Sequence, residues 1–212
     1  IAGPNGAGKS TLFNIITRIP FPPDRGRVYL EGEMIQSLAP HVICRKGIAR
    51  TFQIENVFST LTTLENVSIA ANFGYQKKPK GKASSSARAM RALELVGLVD
   101  TKDRTAGELS LIDKKRLMIA TALAMDPKIL LLDEPSAGLN REEIRDTMAL
   151  IRKARDDTGI SVVLIEHVMP VLLGLSDRVM ILDQGQKVVE GTPDEVVKNE
   201  SVIEIYLGAG SY

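Results

Sequence analysis

Apolar runs closed by polar or glycine breaks divide this chain into short strands and helices. Ile129-Leu130-Leu131-Leu132, Ile160 to Ile165 and Arg178 to Leu182 carry almost no polar alternation. Strands of that kind belong inside a sheet covered on both faces. Between them the spacing turns helical, from Leu111 to Met125 and from Asn140 to about Asp156, where Asn140-Arg141-Glu142-Glu143 has capping-box spacing. The pattern predicts an α/β fold with a mostly parallel central sheet covered by helices.

The first half is more broken. Lys9 to Ile16 reads as a helix, and the cluster from Pro20 to Gly26 as a turn. Arg27-Val28-Tyr29-Leu30 and Met34-Ile35, either side of Glu31-Gly32-Glu33, predict a short hairpin. Pro40 suits the first turn of a helix stopping at Gly47, and Ile48 to Gln53 reads as a strand with a polar end. Thr62-Thr63-Leu64-Glu65 opens a helix to about Phe73, and Ala87 to Val96 is another, ended by Gly97. Near the end, Gln184-Gly185 turns the chain back into Lys187-Val188-Val189, and Thr192-Pro193-Asp194-Glu195 starts a small helix. No internal repeat is visible.

Composition narrows the class. A length of 212 residues allows one large core, or a core with a smaller appended subdomain. With 27 Lys+Arg against 26 Asp+Glu, the formal charge is +1, and no global pull toward nucleic acid or anionic lipid follows. The lysines at 77, 78, 80 and 82 lie in a Lys-, Gly- and Ser-rich stretch from Tyr75 to Ser86, read as a solvated loop because no aromatics interleave with them beyond Tyr75. The single cysteine, Cys44, rules out an intrachain disulfide and reads as a small semi-buried hydrophobe. No Cys/His cluster has zinc spacing, and no apolar run approaches the length of a membrane span.

Candidate chemistry begins at the third residue. Gly3-Pro4-Asn5-Gly6-Ala7-Gly8-Lys9-Ser10-Thr11 fits the phosphate-loop pattern G-x-x-x-x-G-K-[ST]. A polyphosphate packs several negative charges into a small volume, so its site needs inward-pointing N–H groups on backbone that can approach closely, and glycines permit both. The helix beginning at Lys9 turns its unpaired N-terminal N–H groups and positive dipole end toward the same place. Lys9 is expected to reach the β- and γ-phosphates, and the Ser10 hydroxyl to ligate Mg²⁺. Such a loop normally follows a strand, of which only Ile1-Ala2 remain, so an upstream segment is expected.

The second site signal is Asp133-Glu134 at the end of the strand 129–132. Unpaired carboxylates are disfavoured at the end of a buried strand. A Mg²⁺ beside the phosphate loop supplies a counter-charge, with Asp133 holding it directly or through water and Glu134 orienting and deprotonating the attacking water. The competing reading is a strand-end ion pair with Lys or Arg.

On these motifs the chain resembles the ATP-binding subunits of ABC transporters, and several further segments match in order over essentially its whole length. Gln53 sits where that family has the Q-loop glutamine, which touches Mg²⁺ and couples the site to the membrane partner. Ser136-Ala137-Gly138-Leu139-Asn140 matches the D-loop at the dimer seam. His167, in Leu164-Ile165-Glu166-His167, matches the switch histidine that contacts the γ-phosphate, whereas His41 has no partner pattern and reads as a surface residue. Gly47 to Gln53, Ala137-Gly138-Leu139-Asn140 and the ending from Gly191 to Gly208 look like the high-affinity branched-chain amino acid transport subfamily.

The resemblance implies a P-loop ATPase domain over residues 1–212, N-terminally incomplete, with a helical subdomain inserted at about 54–125. It implies ATP rather than GTP, with Mg²⁺; a second ATPase subunit, alike or different; transmembrane permease subunits; and, indirectly, a substrate-binding protein. Nucleic acid is not an expected partner. The implied location is the cytoplasmic face of the plasma membrane, held there through the permeases.

One motif departs from the family. Where L-S-G-G-Q is expected the chain reads Leu109-Ser110-Leu111-Ile112-Asp113, without the glycines and the glutamine. Ser110 and Asp113 keep capping-box spacing, so Ser110 is still expected to open the helix and to serve the partner subunit's nucleotide in trans. Leu111 and Ile112 put side chains where bare backbone is expected, and Asp113 adds a like charge, so weaker γ-phosphate contact is expected there. Two rival readings follow: a module that binds ATP but hardly hydrolyses it, or a soluble ABC ATPase unconnected with transport.

Overall fold

The computed structural model describes residues 1–74 and 84–208. In chain order the elements are α1 (Lys9–Thr17), β1 (Tyr29–Leu30), β2 (Glu33–Met34), α2 (Pro40–Arg45), β3 (Ile48–Arg50), α3 (Thr63–Phe73), α4 (Ser85–Val96), α5 (Leu111–Ala124), β4 (Ile129–Asp133), α6 (Arg141–Thr158), β5 (Ser161–Ile165), α7 (Met169–Leu175), β6 (Val179–Asp183), β7 (Gln186–Gly191), α8 (Pro193–Val197) and α9 (Glu200–Gly208). β3, β4 and β5 form a parallel sheet in that order, in register Ala49↔Leu130↔Val162. The hairpins β1–β2 and β6–β7 are antiparallel.

The chain start joins the sheet to the second hairpin. Ile1 N donates to Leu164 O (2.6 Å), and Ala2 pairs with β6 through Ala2 N–Met180 O (2.9 Å) and Leu182 N–Ala2 O (2.8 Å). The phosphate loop that follows is thereby held at the C-terminal end of the strands, where open α/β sheets bind ligands.

The apolar β4 is buried on both faces. Leu130 and Leu132 belong to one cluster, with Leu117, Ile119 and Leu164; Leu131 belongs to the other, with Phe13, Ile48 and Ile165. All three leucines are at most 2 % exposed, and each such burial contributes about 1.5–3 kcal/mol. α3, α4 and α5 pack on one another beside the sheet, and α6 packs on α7 and α4.

The local signals hold well at the helix starts. Thr62 and Glu65 form both arms of a capping box, as do Asn140 with Glu143 and Thr192 with Glu195. Gly97 and Gly159 end α4 and α6 in the left-handed conformation. Cys44 is half-buried against Met125 (Sγ–Sδ 3.6 Å), and His41 is exposed.

Several expectations need correction. β3 ends at Arg50 rather than Gln53: Thr51 N still donates to Leu131 O (2.9 Å), but the chain then bends away, leaving Gln53 exposed beyond the sheet. α4 starts at Ser85, capped by the Ser84 hydroxyl, so it takes the last residues of the expected loop; the lysines at 77, 78, 80 and 82 lie outside the described residues. α7 and α9 were not expected; Met169-Pro170-Val171-Leu172-Leu173 in α7 is apolar without a helical period, and α7 packs against α6. α5 does start as expected, with Ser110 as its N-cap accepting from Asp113 N; the reciprocal arm of the box is absent, because the Asp113 carboxylate accepts from the Ser110 hydroxyl instead of the Ser110 N–H.

Candidate nucleotide site

Gly3 leaves the strand pairing with φ 145°, and a Cβ there would stand 2.0 Å from Leu182 O, so only glycine fits. Gly8 caps α1 with φ 96° and no side-chain cap, so the helix opens toward the loop with donors unclaimed by any capping side chain. Lys9 is buried, its ammonium donating to Gly3 O and Pro4 O (both 2.9 Å), curled over the loop it belongs to. Asn5, Gly6, Ala7 and Thr11 complete the loop and first turn, with Ala7 N on Pro4 O (3.2 Å) and Ala7 O accepting from Gly185 N (3.0 Å).

Across the sheet, β4 delivers its acids beside that loop. The Ser10 hydroxyl donates to Asp133 Oδ1 (3.3 Å) across 123 residues of sequence. The other oxygen, Oδ2, accepts from Arg50 at 2.9 Å, in a pair with both side chains nearly fully buried. Arg50 also donates to Asn14 Oδ1 (2.8 Å), and its guanidinium lies against the rings of Phe52 (4.8 Å) and Phe13 (5.5 Å). Both readings of Asp133 therefore meet here: it faces the phosphate loop and it carries a strand-end ion pair.

Glu134 follows with φ 48°, a left-handed conformation costly for a residue with a side chain, which it shares with Arg18, Glu31, Asp126 and Gln184. Its Oε2 accepts from Gln53 Nε2 (2.9 Å) and lies 3.8 Å from His167 Nδ1. Residues 53, 134 and 167 thus meet at one carboxylate oxygen. Ser10, Arg50, Phe52, Gln53, Ile54 and Asp133 line an open cleft of about 420 Å³. Larger clefts lie between α4 and α6 and along β5 and β6, and neither holds a phosphate-loop or strand-end acid.

Ser110 stands apart. Its hydroxyl donates to Asp113 Oδ2 (2.8 Å) and accepts from Asp113 N (3.2 Å), so its bonds stay within its own turn. Leu111 beside it is exposed, and a Cβ at Gly138 would come 3.3 Å from its Cδ2, so α5 and the 136–140 loop adjoin.

Sequence reasoning missed Arg50 and Glu166. A cation in an otherwise apolar strand, Ile48-Ala49-Arg50, was the available sign of the first. Glu166 is fully buried and accepts from Ser136 N (3.0 Å) and Ser136 Oγ (2.5 Å); its sign was an acid directly continuing the apolar strand 161–165.

A glycine loop opening a helix, with an acid-ended parallel strand beside it, defines a P-loop nucleotide-triphosphatase fold. Comparison with known proteins narrows the class. The pattern of the ABC transporter family matches residues 1–137, and that of the branched-chain amino acid ATP-binding cassette transporters matches residues 186–212. The high-affinity branched-chain amino acid transport ATP-binding protein BraF of Pseudomonas aeruginosa is 41% identical over 97% of this chain and 85% of its own length. LivG of Escherichia coli, described in the same words, is 36% identical over 98% and 86%. Two crystal structures of ATP-binding cassettes from ABC transporters, one nucleotide-free and one in the ADP conformation, superpose with TM-scores of 0.84 at 32% and 33% identity, covering 97% and 98% of this chain and 85% and 86% of theirs. The chain belongs to the ABC transporter family, among the ATP-binding subunits of its branched-chain amino acid group.

Proposed function

We propose that this chain is the ATP-hydrolysing subunit of an importer for branched-chain amino acids, working with a second ATPase subunit against permease subunits fed by a substrate-binding protein. The observation that carries the hydrolytic part of this reading is the convergence of Ser10 on Asp133 (3.3 Å) and of Gln53 and His167 on Glu134 (2.9 and 3.8 Å), while the importer and its cargo rest on the likeness to BraF and LivG. No helix among the described residues is long and apolar enough to cross a membrane, which agrees with attachment through permeases at the cytoplasmic face. Packing of α3, α4 and α5 on one another supports a helical subdomain at about 54–125.

The proposed roles follow from donor chemistry. Lys9 and the backbone N–H groups of residues 5–11 neutralise and orient the phosphates of ATP. Mg²⁺ suits the donor set: Ser10 Oγ and Asp133 Oδ1 are hard oxygen donors side by side, and the ion commonly takes only one or two protein ligands, the rest coming from phosphate and water. The Gln53 side-chain carbonyl is the third candidate donor. When bound, Mg²⁺ supplies charge neutralisation at the phosphates. Glu134 accepts the proton of the attacking water, and His167 donates a hydrogen bond to the terminal phosphate.

The 109–113 segment favours unequal sites in the assembly. Ser110 would serve the partner's nucleotide in trans, but its hydroxyl proton is held by Asp113, and Leu111 and Ile112 stand where a phosphate needs open backbone. With a different partner subunit, the site built on Lys9 and Glu134 is then the competent one and the partner's the weaker. Placing Glu134→Gln here, and the equivalent change in the partner, tests both points. The change here should lower turnover by about 10²–10⁴-fold while Mg-ATP binding persists, and the partner's change should cost much less. Equal losses would refute the asymmetry, and undiminished turnover with Glu134→Gln would refute the role of Glu134.

A further inference from the structure

Behind the reactive face lies a buried polar contact that the proposed chemistry does not use. Glu166 is fully buried between β5 and α7, and a single oxygen, Oε1, accepts both the Ser136 N–H (3.0 Å) and the Ser136 hydroxyl (2.5 Å). Ser136 is itself 3 % exposed. The other oxygen faces Val168 N at 3.5 Å. The nearest residues on either side are the site's own: Glu134 precedes Ser136 by two positions, and His167 follows Glu166 directly.

This contact does a mechanical job. Glu134 is held in the left-handed region (φ 48°), and such a conformation persists only where the surroundings over-determine it. Three bonds tie the segment to the end of β5: Glu134 N to Ile165 O (3.0 Å) before the turn, and the Ser136 N–H and hydroxyl to Glu166 after it. Both anchors lie on the strand end that carries His167. These bonds tie together the two segments that carry Glu134 and His167, whose Oε2 and Nδ1 lie 3.8 Å apart.

We infer that Glu166 is a positioning residue, clamping the loop after β4 to the strand end of β5 so that the Glu134 carboxylate and the His167 ring present to the terminal phosphate as one unit. The inference rests on the proposed roles of Glu134 and His167. Lys115 of α5 adds a nearby positive charge: it is buried, and Glu55, Glu166 and Glu134 all bear on its ammonium.

The test uses the full-length protein in its reconstituted transporter, with hydrolysis kinetics, Mg-ATP affinity from a fluorescent-nucleotide titration, and melting temperature read in parallel. Glu166→Ala should lower kcat on the order of ten- to a hundredfold, as sub-ångström misplacement of reacting groups does, with affinity kept within about twofold because Lys9 and the loop are untouched. Glu166→Gln retains an oxygen at the Oε1 position for both Ser136 bonds, gives up only the long contact from Val168 N, and should recover most of that loss, which separates the clamp from a requirement for charge. Ser136→Ala removes the hydroxyl bond and keeps the N–H one, so it should lower kcat less than Glu166→Ala, and adding it to Glu166→Ala should bring little further loss, since Glu166→Ala already removes both bonds. Unchanged kcat in Glu166→Ala, additive losses in the double variant, or a fold-loss of Mg-ATP affinity as large as that of kcat would each overturn the inference. If the wild type itself neither binds nor hydrolyses Mg-ATP, the functional reading fails together with the inference; a wild type inactivated by Glu134→Gln but indifferent to Glu166→Ala sinks the inference alone.

Discussion

At the residue scale, the site is a set of charges placed where each needs another. Asp133 is 4 % exposed and holds Arg50 on one oxygen and Ser10 on the other. Removing one partner of a buried pair strands the remaining charge, so Arg50→Met should cost about 3–5 kcal/mol of stability. Melting the variant with and without Mg-ATP checks this, and a smaller deficit with Mg-ATP is expected because the bound ion replaces the lost counter-charge. Lys115 behaves differently. Burial pushes its ammonium below the ordinary 10.5, against the raising influence of Glu55, Glu166 and Glu134. A cation with a lowered folded pKa binds fewer protons when folded, so folding gains stability as pH rises through the lowered value toward 10.5. Lys115→Met lacks that titration, and any advantage it has over wild type should be largest near neutral pH and shrink on approach to 10.5. Denaturant unfolding of both proteins across that range measures it, and a pH-independent difference would contradict it.

At the element scale, caps decide where helices begin, and tertiary contact decides whether weakly patterned segments become helices at all. Asn140 accepts from Glu142 N (2.9 Å) and Glu143 N (3.0 Å) at the start of α6, while Glu143 returns a bond to Asn140 N (2.8 Å). Asn140→Ala should therefore destabilise the protein by about 0.5–2 kcal/mol, read as a shifted denaturant midpoint with unchanged slope. These starts were legible in sequence because a cap needs only residues three or four positions apart. The same logic held at Ser110, which caps α5 through its hydroxyl as its spacing to Asp113 implied; only the return bond is missing, because the Asp113 carboxylate accepts from that hydroxyl rather than from the backbone. α7 was illegible for the opposite reason: its residues carry no helical period, and the helix packs against α6.

At the scale of the whole molecule, two segments far apart in sequence form one site because β4 runs parallel between β3 and β5 and ends beside the loop after Ala2. Mg-ATP joining the loop at 3–11 to the acids at 133–134 should stabilise the folded state by about 2.7 kcal/mol at a hundredfold excess over its Kd. A thermal-shift titration measures this, and chelating the metal should remove most of it. The sequence alone determined the phosphate loop, the acid-ended strand, most helix starts and the likeness to ABC cassettes, since each is written in neighbouring residues whose chemistry is local. Only the tertiary structure decided that Arg50 holds Asp133, that Gln53 and His167 share one oxygen of Glu134, and that Glu166 clamps Ser136. Those pairings depend on strand order and on which way the chain bends after each strand, and nothing in the spacing of residues along the chain encodes either.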